Sequence, residues 1–257
     1  NNMQHLLLFR LLILFSVAKI RKVPGFVLGV TANMESAEAR DYTPDGPVAR
    51  EIALTIPYYP FKGIERFYDV GGMLAQPSVF QKAIDAFAAR YSDLNIDSIG
   101  CIDARGFILG PPIALALNKP CFMVRKKGKM PNTITGSDYR KEYKGDNQAG
   151  ADALSIQKHS VKTGDRVLLI DDLVATGGTL LAAIELVEAV GGQVVECACM
   201  VELKFLDART KIKEKHPNTE VWGLISEDVL TVAGAVEGST EAGTAAASSS
   251  DSMCQAT

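Results

Sequence analysis

Short apolar runs separated by helical stretches constrain this chain more than any other feature. Ser98–Ile102 (SIGCI), Cys121–Arg125 (CFMVR), Arg166–Ile170 (RVLLI) and Val194–Val201 read as strands with no polar alternation. A strand that is apolar on both sides must be covered on both faces. Helical periodicity supplies the covers. Val79, Phe80, Ala83, Ile84, Phe87 and Ala88 recur at helical spacing, with Pro77 in the first turn. Phe107–Leu117 reads as a helix stopped by Asn118-Lys119-Pro120, and Leu180, Ile184 and Val187 share one face of a helix near Gly178–Val190 that Gly191-Gly192 ends. The implied fold class is α/β, a parallel twisted sheet flanked by helices. In such sheets the ligand sits beyond the carboxyl ends of the strands, so the strand-to-helix turns are where chemistry belongs.

A length of 257 residues with 47% hydrophobic content suits one large domain with a sizeable core. The net charge of -3 supplies no electrostatic reason for a nucleic acid or an anionic membrane as partner. Cys101, Cys121, Cys197 and Cys199 sit in the apolar runs and Cys254 near the end. A zinc site would need a second ligand pair at matching spacing, which is absent. They read as buried free thiols in a reducing compartment, with a cytoplasmic setting. His159 and His216 are isolated and receive no role.

The ends differ from the middle. Leu6–Ala18 is apolar apart from Arg10, but its 13 residues fall short of the roughly 20 that span a bilayer. Its cations, Lys19, Arg21 and Lys22, follow the run rather than precede it, unlike a signal peptide. Residues 1–33 are set apart as an extension, with three readings open: no function, a targeting or membrane-surface segment, or a structural part of the fold. Stable membrane insertion is not expected. Ala233–Thr257 is rich in Ala, Ser, Gly and Thr and lacks large aromatics, so the tail, placed at 231–257, is expected to be disordered.

Val167–Leu180 (VLLIDDLVATGGTL) carries the most specific chemistry. A hydrophobic strand delivers two consecutive acids, Asp171 and Asp172, and then the small turn Ala175-Thr176-Gly177-Gly178-Thr179 at a helix start. Unpaired N–H groups and the helix dipole make such a turn a phosphate site. No lysine follows the glycines, which excludes a Walker loop. Adjacent acids at a buried strand end repel and call for a cation or ligand. Acids before a phosphate nest suit a sugar phosphate, whose vicinal hydroxyls the carboxylates would accept. A second turn, Asp103-Ala104-Arg105-Gly106, offers backbone donors and one guanidinium to another anion. Arg125–Lys129 (RKKGK) then opens a connection reaching about Gly150, far longer than an ordinary loop, with Tyr139, Glu142 and Tyr143 inside it.

These segments resemble the type I phosphoribosyltransferases and, among them, the adenine phosphoribosyltransferases. The resemblance covers roughly Ile56–Val229. It implies that fold, with an N-terminal hood within residues 34–70, a core at 71–230 and a long mobile catalytic loop. It implies that Asp171 and Asp172 meet the ribose hydroxyls directly or through Mg²⁺-bound water, and that Ala175, Thr176, Gly177, Gly178 and Thr179 hold the 5′-phosphate. Asp103, Ala104 and Arg105 would form the pyrophosphate loop, with a cis Asp–Ala bond. Lys126 and Lys129 would neutralise pyrophosphate, Arg125 would bind substrate, Arg105 would act in catalysis, and the lid would carry Glu142 and Tyr143. In the hood, backbone groups of Arg66 would read the base edge, Phe67 would stack on one face and Leu173 would cover the other. The 6-oxopurine enzymes place an aspartate where this chain has Ala175, so adenine is the implied base and Glu142 the acid at N7. The implied activity transfers the phosphoribosyl group of phosphoribosyl pyrophosphate to N9 of adenine, giving AMP and pyrophosphate, in a homodimer. The alternatives are another purine or pyrimidine phosphoribosyltransferase, or a non-catalytic regulator binding phosphoribosyl pyrophosphate; no helix-turn-helix pattern precedes the core to support the latter.

Overall fold

The apolar runs become the middle of a seven-stranded sheet in the computed structural model, which describes residues 41–61, 63–139 and 152–234. Strands β3 (Ser98–Ile102), β4 (Cys121–Lys126), β7 (Arg166–Val174), β8 (Gln193–Glu202) and β9 (Glu220–Ser226) lie parallel. Strands β5 (Thr133–Tyr139) and β6 (Asp152–Gln157) add an antiparallel pair at one edge, giving the order β5-β6-β4-β3-β7-β8-β9.

Period-two alternation explains why the runs are apolar throughout. Leu168 and Ile170 of β7 join one core cluster with Ala198 and Met200, whereas Val167 and Leu169 join another with Cys197 and Cys199. The first cluster includes buried residues of helices α1 (Pro47–Ala53), α2 (Gly71–Leu74), α3 (Pro77–Tyr91) and α4 (Gly106–Ala116). The second is covered by α5 (Gly178–Ala189) and α6 (Ala208–Lys215). Helix α4 runs through Pro111 and Pro112, which remove two donors from its ladder. Burial of Leu109, Gly110, Ile113 and Ala114 against β3 and β7 holds it nonetheless.

The structure departs from the sequence expectations in four places. The connection after Arg125 is not a loop as far as Tyr139. Thr133, Ile134 and Thr135 pair with Gln157, Ile156 and Ser155, and Thr135 Oγ1 and Ser155 Oγ hydrogen-bond at 2.9 Å. Alternating Thr-Ile-Thr suits an edge strand, and basic, glycine-containing neighbours masked that signal. Periodicity assigned nothing beyond Val201, where α6 and β9 complete the sheet. Residues 231–234, placed in the tail by composition, are ordered: Tyr58 N–H donates to Val232 O and Gly234 N–H to Tyr58 O, both at 2.9 Å. Pairing with an open strand edge satisfies their backbone, which composition does not register. Finally, Cys121 is exposed, while Cys101, Cys197 and Cys199 are buried and free. Burial pushes the Cys101 thiol up to about 12, so it stays protonated. Among the described residues no helix is long and apolar enough to cross a membrane.

Candidate active site

Strand β7 ends in the two acids, and its last residues lead into a turn that begins α5. Gly177 adopts φ 85°, a left-handed conformation that suits glycine, and a Cβ there would lie 3.1 Å from Ala208 of α6. The first N–H groups of α5 have no side-chain cap, and Gly178 and Thr179 line the same cavity as the acids. Asp171 and Asp172 are 9% and 5% exposed, and the Asp172 N–H donates to Asp171 Oδ1 at 2.9 Å. Burial, and then the Asp172 charge, push the Asp171 carboxyl well above the usual carboxylate range, with Arg105 acting in the opposite sense.

Arg105 comes from the neighbouring strand. β3 pairs with β7 in parallel register, so the turn after Ile102 lies beside the acids. The Asp103–Ala104 peptide is cis, as the resemblance implies. Arg105 Nε stands 3.0 Å from Asp172 Oδ2, an ion pair without hydrogen-bond alignment, and its guanidinium lies 5.3 Å from the Phe67 ring centroid. Gly106 lets the Asp103–Arg105 turn lie directly against β7, because a Cβ there would sit 2.6 Å from Ile170 O.

The hood is the hairpin of β1 (Tyr58–Phe61) and β2 (Ile64–Tyr68), pairing Tyr58 with Tyr68 and Tyr59 with Phe67. The Phe61 and Phe67 rings lie 5.1 Å apart, and the Arg66 guanidinium covers Tyr58 at 5.0 Å. The Asp69 N–H donates to Pro57 O at 2.8 Å and closes the base of the hairpin, and residues 232–234 pair with Tyr58.

Together these elements line an open cavity of about 710 Å³. Arg66 and Phe67 of the hood line it, as do Asp103, Ala104, Arg105 and Lys126. From β7 and its turn come Asp171, Asp172, Leu173, Ala175, Thr176, Gly177, Gly178 and Thr179. Two sequence candidates are placed otherwise. Arg125 does not line the cavity: its Nε donates to Asp103 Oδ2 at 3.0 Å, its other nitrogen donates to Lys129 O at 3.3 Å, and it lies over Phe107. A guanidinium committed to a neighbouring carboxylate and carbonyl supports the loop rather than facing a ligand. Lys129 is exposed and likewise outside the lining. Glu142 and Tyr143 lie outside the described residues. The structure adds Leu203, Phe205, Leu206 and Glu227, which sequence reasoning missed. They follow β8 and β9, and only knowing that β8 neighbours β7 would have pointed to the first three.

Among the described residues no cluster of three or more His, Cys, Asp or Glu could hold a metal. The acid pair still fits Mg²⁺, which keeps several waters and takes one or two carboxylates plus substrate oxygens. Asp172 Oδ2 is buried and receives no hydrogen bond, which leaves it a lone pair to offer such an ion or its water.

A family model described as the phosphoribosyl transferase domain matches residues 70–238. The chain is 46% identical over 160 residues to "Adenine phosphoribosyltransferase 3" of Arabidopsis thaliana, covering 62% of this chain and 84% of that protein. Among solved structures, the adenine phosphoribosyl transferase of Trypanosoma brucei, in complex with AMP, pyrophosphate and ribose-5-phosphate, superimposes with a TM-score of 0.66 at 32% identity. That match covers 73% of this chain and 83% of the trypanosomal one. The Saccharomyces cerevisiae adenine phosphoribosyltransferase, complexed with an imino-altritol bisphosphate and adenine, gives 0.59 at 37% identity over 69% of this chain and 98% of its own.

Proposed function

The chain belongs to the phosphoribosyl transferase family, and from that premise we propose that it transfers the 5-phosphoribosyl group of phosphoribosyl pyrophosphate to N9 of adenine, releasing pyrophosphate and giving AMP. The observation that carries this reading is the single cavity in which the acid-bearing strand end, the α5 turn, the Asp103–Arg105 turn and the aromatic hood meet. Relatives bearing the adenine phosphoribosyltransferase name across most of their length support the choice of base.

The division of labour follows from chemistry. Thr176–Thr179 at the α5 N-terminus receive the 5′-phosphate through backbone N–H groups and hydroxyls. Asp171 and Asp172 accept the ribose hydroxyls, and with water they would hold Mg²⁺. When bound, that ion supplies positive charge to the departing pyrophosphate. Arg105 and Lys126 add fixed charge on the same side, where negative charge builds as the anomeric bond breaks. Arg125 acts one step back, holding Asp103 and with it the turn. The base enters between Phe67 and Leu173, its edge read by backbone groups of Arg66. Glu142, in the segment after β5, manages the proton at N7, and Tyr143, next to it in sequence, binds substrate. Ala175 leaves no acid in the phosphate turn to do so. The family also suggests a homodimer, and the buried free thiols agree with a cytoplasmic setting.

The test is direct. Incubating the protein with phosphoribosyl pyrophosphate, Mg²⁺ and each purine base in turn should yield AMP from adenine and little nucleotide from hypoxanthine or guanine. Equal use of the three bases would remove the adenine assignment.

A further inference from the structure

The cavity has a wall built from a part of the chain far from the motifs. In the β7–β8 register Leu173 lies opposite Val201 and Val174 opposite Glu202, and the Leu203 N–H donates to Val174 O at 2.9 Å. Leu203 thus leaves the sheet beside the strand end that carries Leu173. The 3-10 turn Lys204–Leu206 follows at once and brings Phe205 and Leu206 to the same cavity.

Phe205 is 69% exposed, a large ring left in water at the open side of the cavity it lines. Its turn is nevertheless pinned. The Glu227 carboxylate accepts the N–H of Lys204 at 2.9 Å and of Phe205 at 3.0 Å. Lys204 Nζ donates to Asp45 Oδ2 at 3.0 Å, drawing the cationic side chain to another partner. Just upstream, buried Glu202 takes a two-pronged pair from Arg209 at 2.5 and 2.6 Å. An exposed aromatic on a slack loop needs no explanation, but one on a turn fixed by a carboxylate's two oxygens is placed. Aromatic faces in ligand cavities receive flat apolar surfaces. On the functional reading above the flat ligand surface in this cavity is the purine, and Phe205 lines the same cavity as Leu173, two residues beyond the Leu203 N–H that donates to Val174 O.

On the functional reading above, we propose that Phe205 is a base-positioning residue forming the outer wall of the purine end of the cavity, with Glu227 setting its place. Phe205 has no hydrogen-bonding group, so it does not select among purines. It holds the base and leaves the ribose phosphate untouched.

Calorimetry with AMP and with ribose 5-phosphate on the full chain, joined to steady-state kinetics, tests this. Phe205→Ala should weaken AMP binding by about five- to 150-fold and raise KM for adenine similarly, the range of losing one aromatic stacking partner. Affinity for ribose 5-phosphate should stay within about twofold, because that ligand lacks the base. Phe205→Tyr, which keeps the ring, should restore AMP affinity. Glu227→Ala should weaken AMP in the parent protein and add nothing in the Phe205→Ala background. Unchanged AMP affinity in Phe205→Ala, or equal loss of AMP and ribose 5-phosphate, would overturn the proposal. A shift in oligomeric state with AMP affinity intact would assign Phe205 to a protein interface and overturn it too. A parent protein that makes no AMP from adenine sinks the functional reading itself, whereas an active parent matched by Phe205→Ala sinks only this inference.

Discussion

Gly106→Ala is the substitution that best tests whether the site depends on the close approach of the Asp103–Arg105 turn to β7. The new Cβ would sit 2.6 Å from Ile170 O and 3.4 Å from Asp171 Cα, and both are backbone atoms of the strand that bears the acids. No flexible side chain can give way, so the Asp103–Arg105 turn and the acid pair must part by most of an ångström. Overpacking of this kind costs about 1–3 kcal/mol. Alanine's advantage over glycine inside a helix, at most about 1 kcal/mol, offsets part of it. For a domain of this size the net loss, at most about 3 kcal/mol, lowers Tm by up to roughly 12 °C. The kinetic effect should be larger, since a displacement near 1 Å at reacting groups can cost about 10²-fold. Gly110→Ala is the control. It lies in the same helix, but its Cβ would meet Cys101 Sγ of β3 at 2.1 Å, a side-chain clash rather than one with the backbone of the acid-bearing strand. Both variants should melt early, and only Gly106→Ala should lose kcat/KM by about 10²-fold when assayed well below Tm. If Gly106→Ala keeps kcat/KM within about threefold, roughly 0.65 kcal/mol, the claim that this contact positions Arg105 against Asp172 is wrong.

Three further outcomes are expected. Replacing Asp171 and Asp172 together by Asn should weaken phosphoribosyl pyrophosphate binding and its Mg²⁺ dependence, each lost charge-assisted bond costing about 1.5–3 kcal/mol by calorimetry; unchanged binding would contradict the ribose assignment. Glu142→Gln should reduce turnover by about 10²–10⁴-fold while substrate affinities change little, and a raised KM with turnover intact would reduce Glu142 to a lid contact. Burial opposes ionisation of Asp45, but the Ser226 N–H at 2.7 Å, Lys204 and the Ser226 hydroxyl outweigh it and hold the carboxyl below its usual 3.8. A depressed carboxyl stabilises the fold fully above that value and loses its contribution as pH falls through the folded pKa. The Tm gap between the parent and Asp45→Asn should therefore be constant near neutrality and close only in acid, whereas a gap independent of pH would exclude the charge as its cause.

The parts of this protein that its sequence determined by itself are those whose physical demands are local. The apolar runs had to be buried strands, and a turn of Ala, Thr and Gly before a helix had to leave N–H groups open. The left-handed Gly177 and the acids at the end of β7 lie within a few residues of each other, so their chemistry was written in one segment. The Asp103–Arg105 turn was legible for the same reason. Tertiary structure decided what depends on which strand lies beside which. β6 pairs with β5, so an apparent loop is partly sheet. Arg125 meets Asp103 because β4 neighbours β3, and a cation counted for the ligand is engaged by the fold instead. Phe205 reaches the cavity because β8 lies against β7, and Glu227 reaches Phe205 because β9 lies against β8. Backbone conformation and burial are properties of short stretches, which a sequence displays. Side chains brought together from separate strands are set by the strand order, and that order follows from packing both faces of the sheet at once.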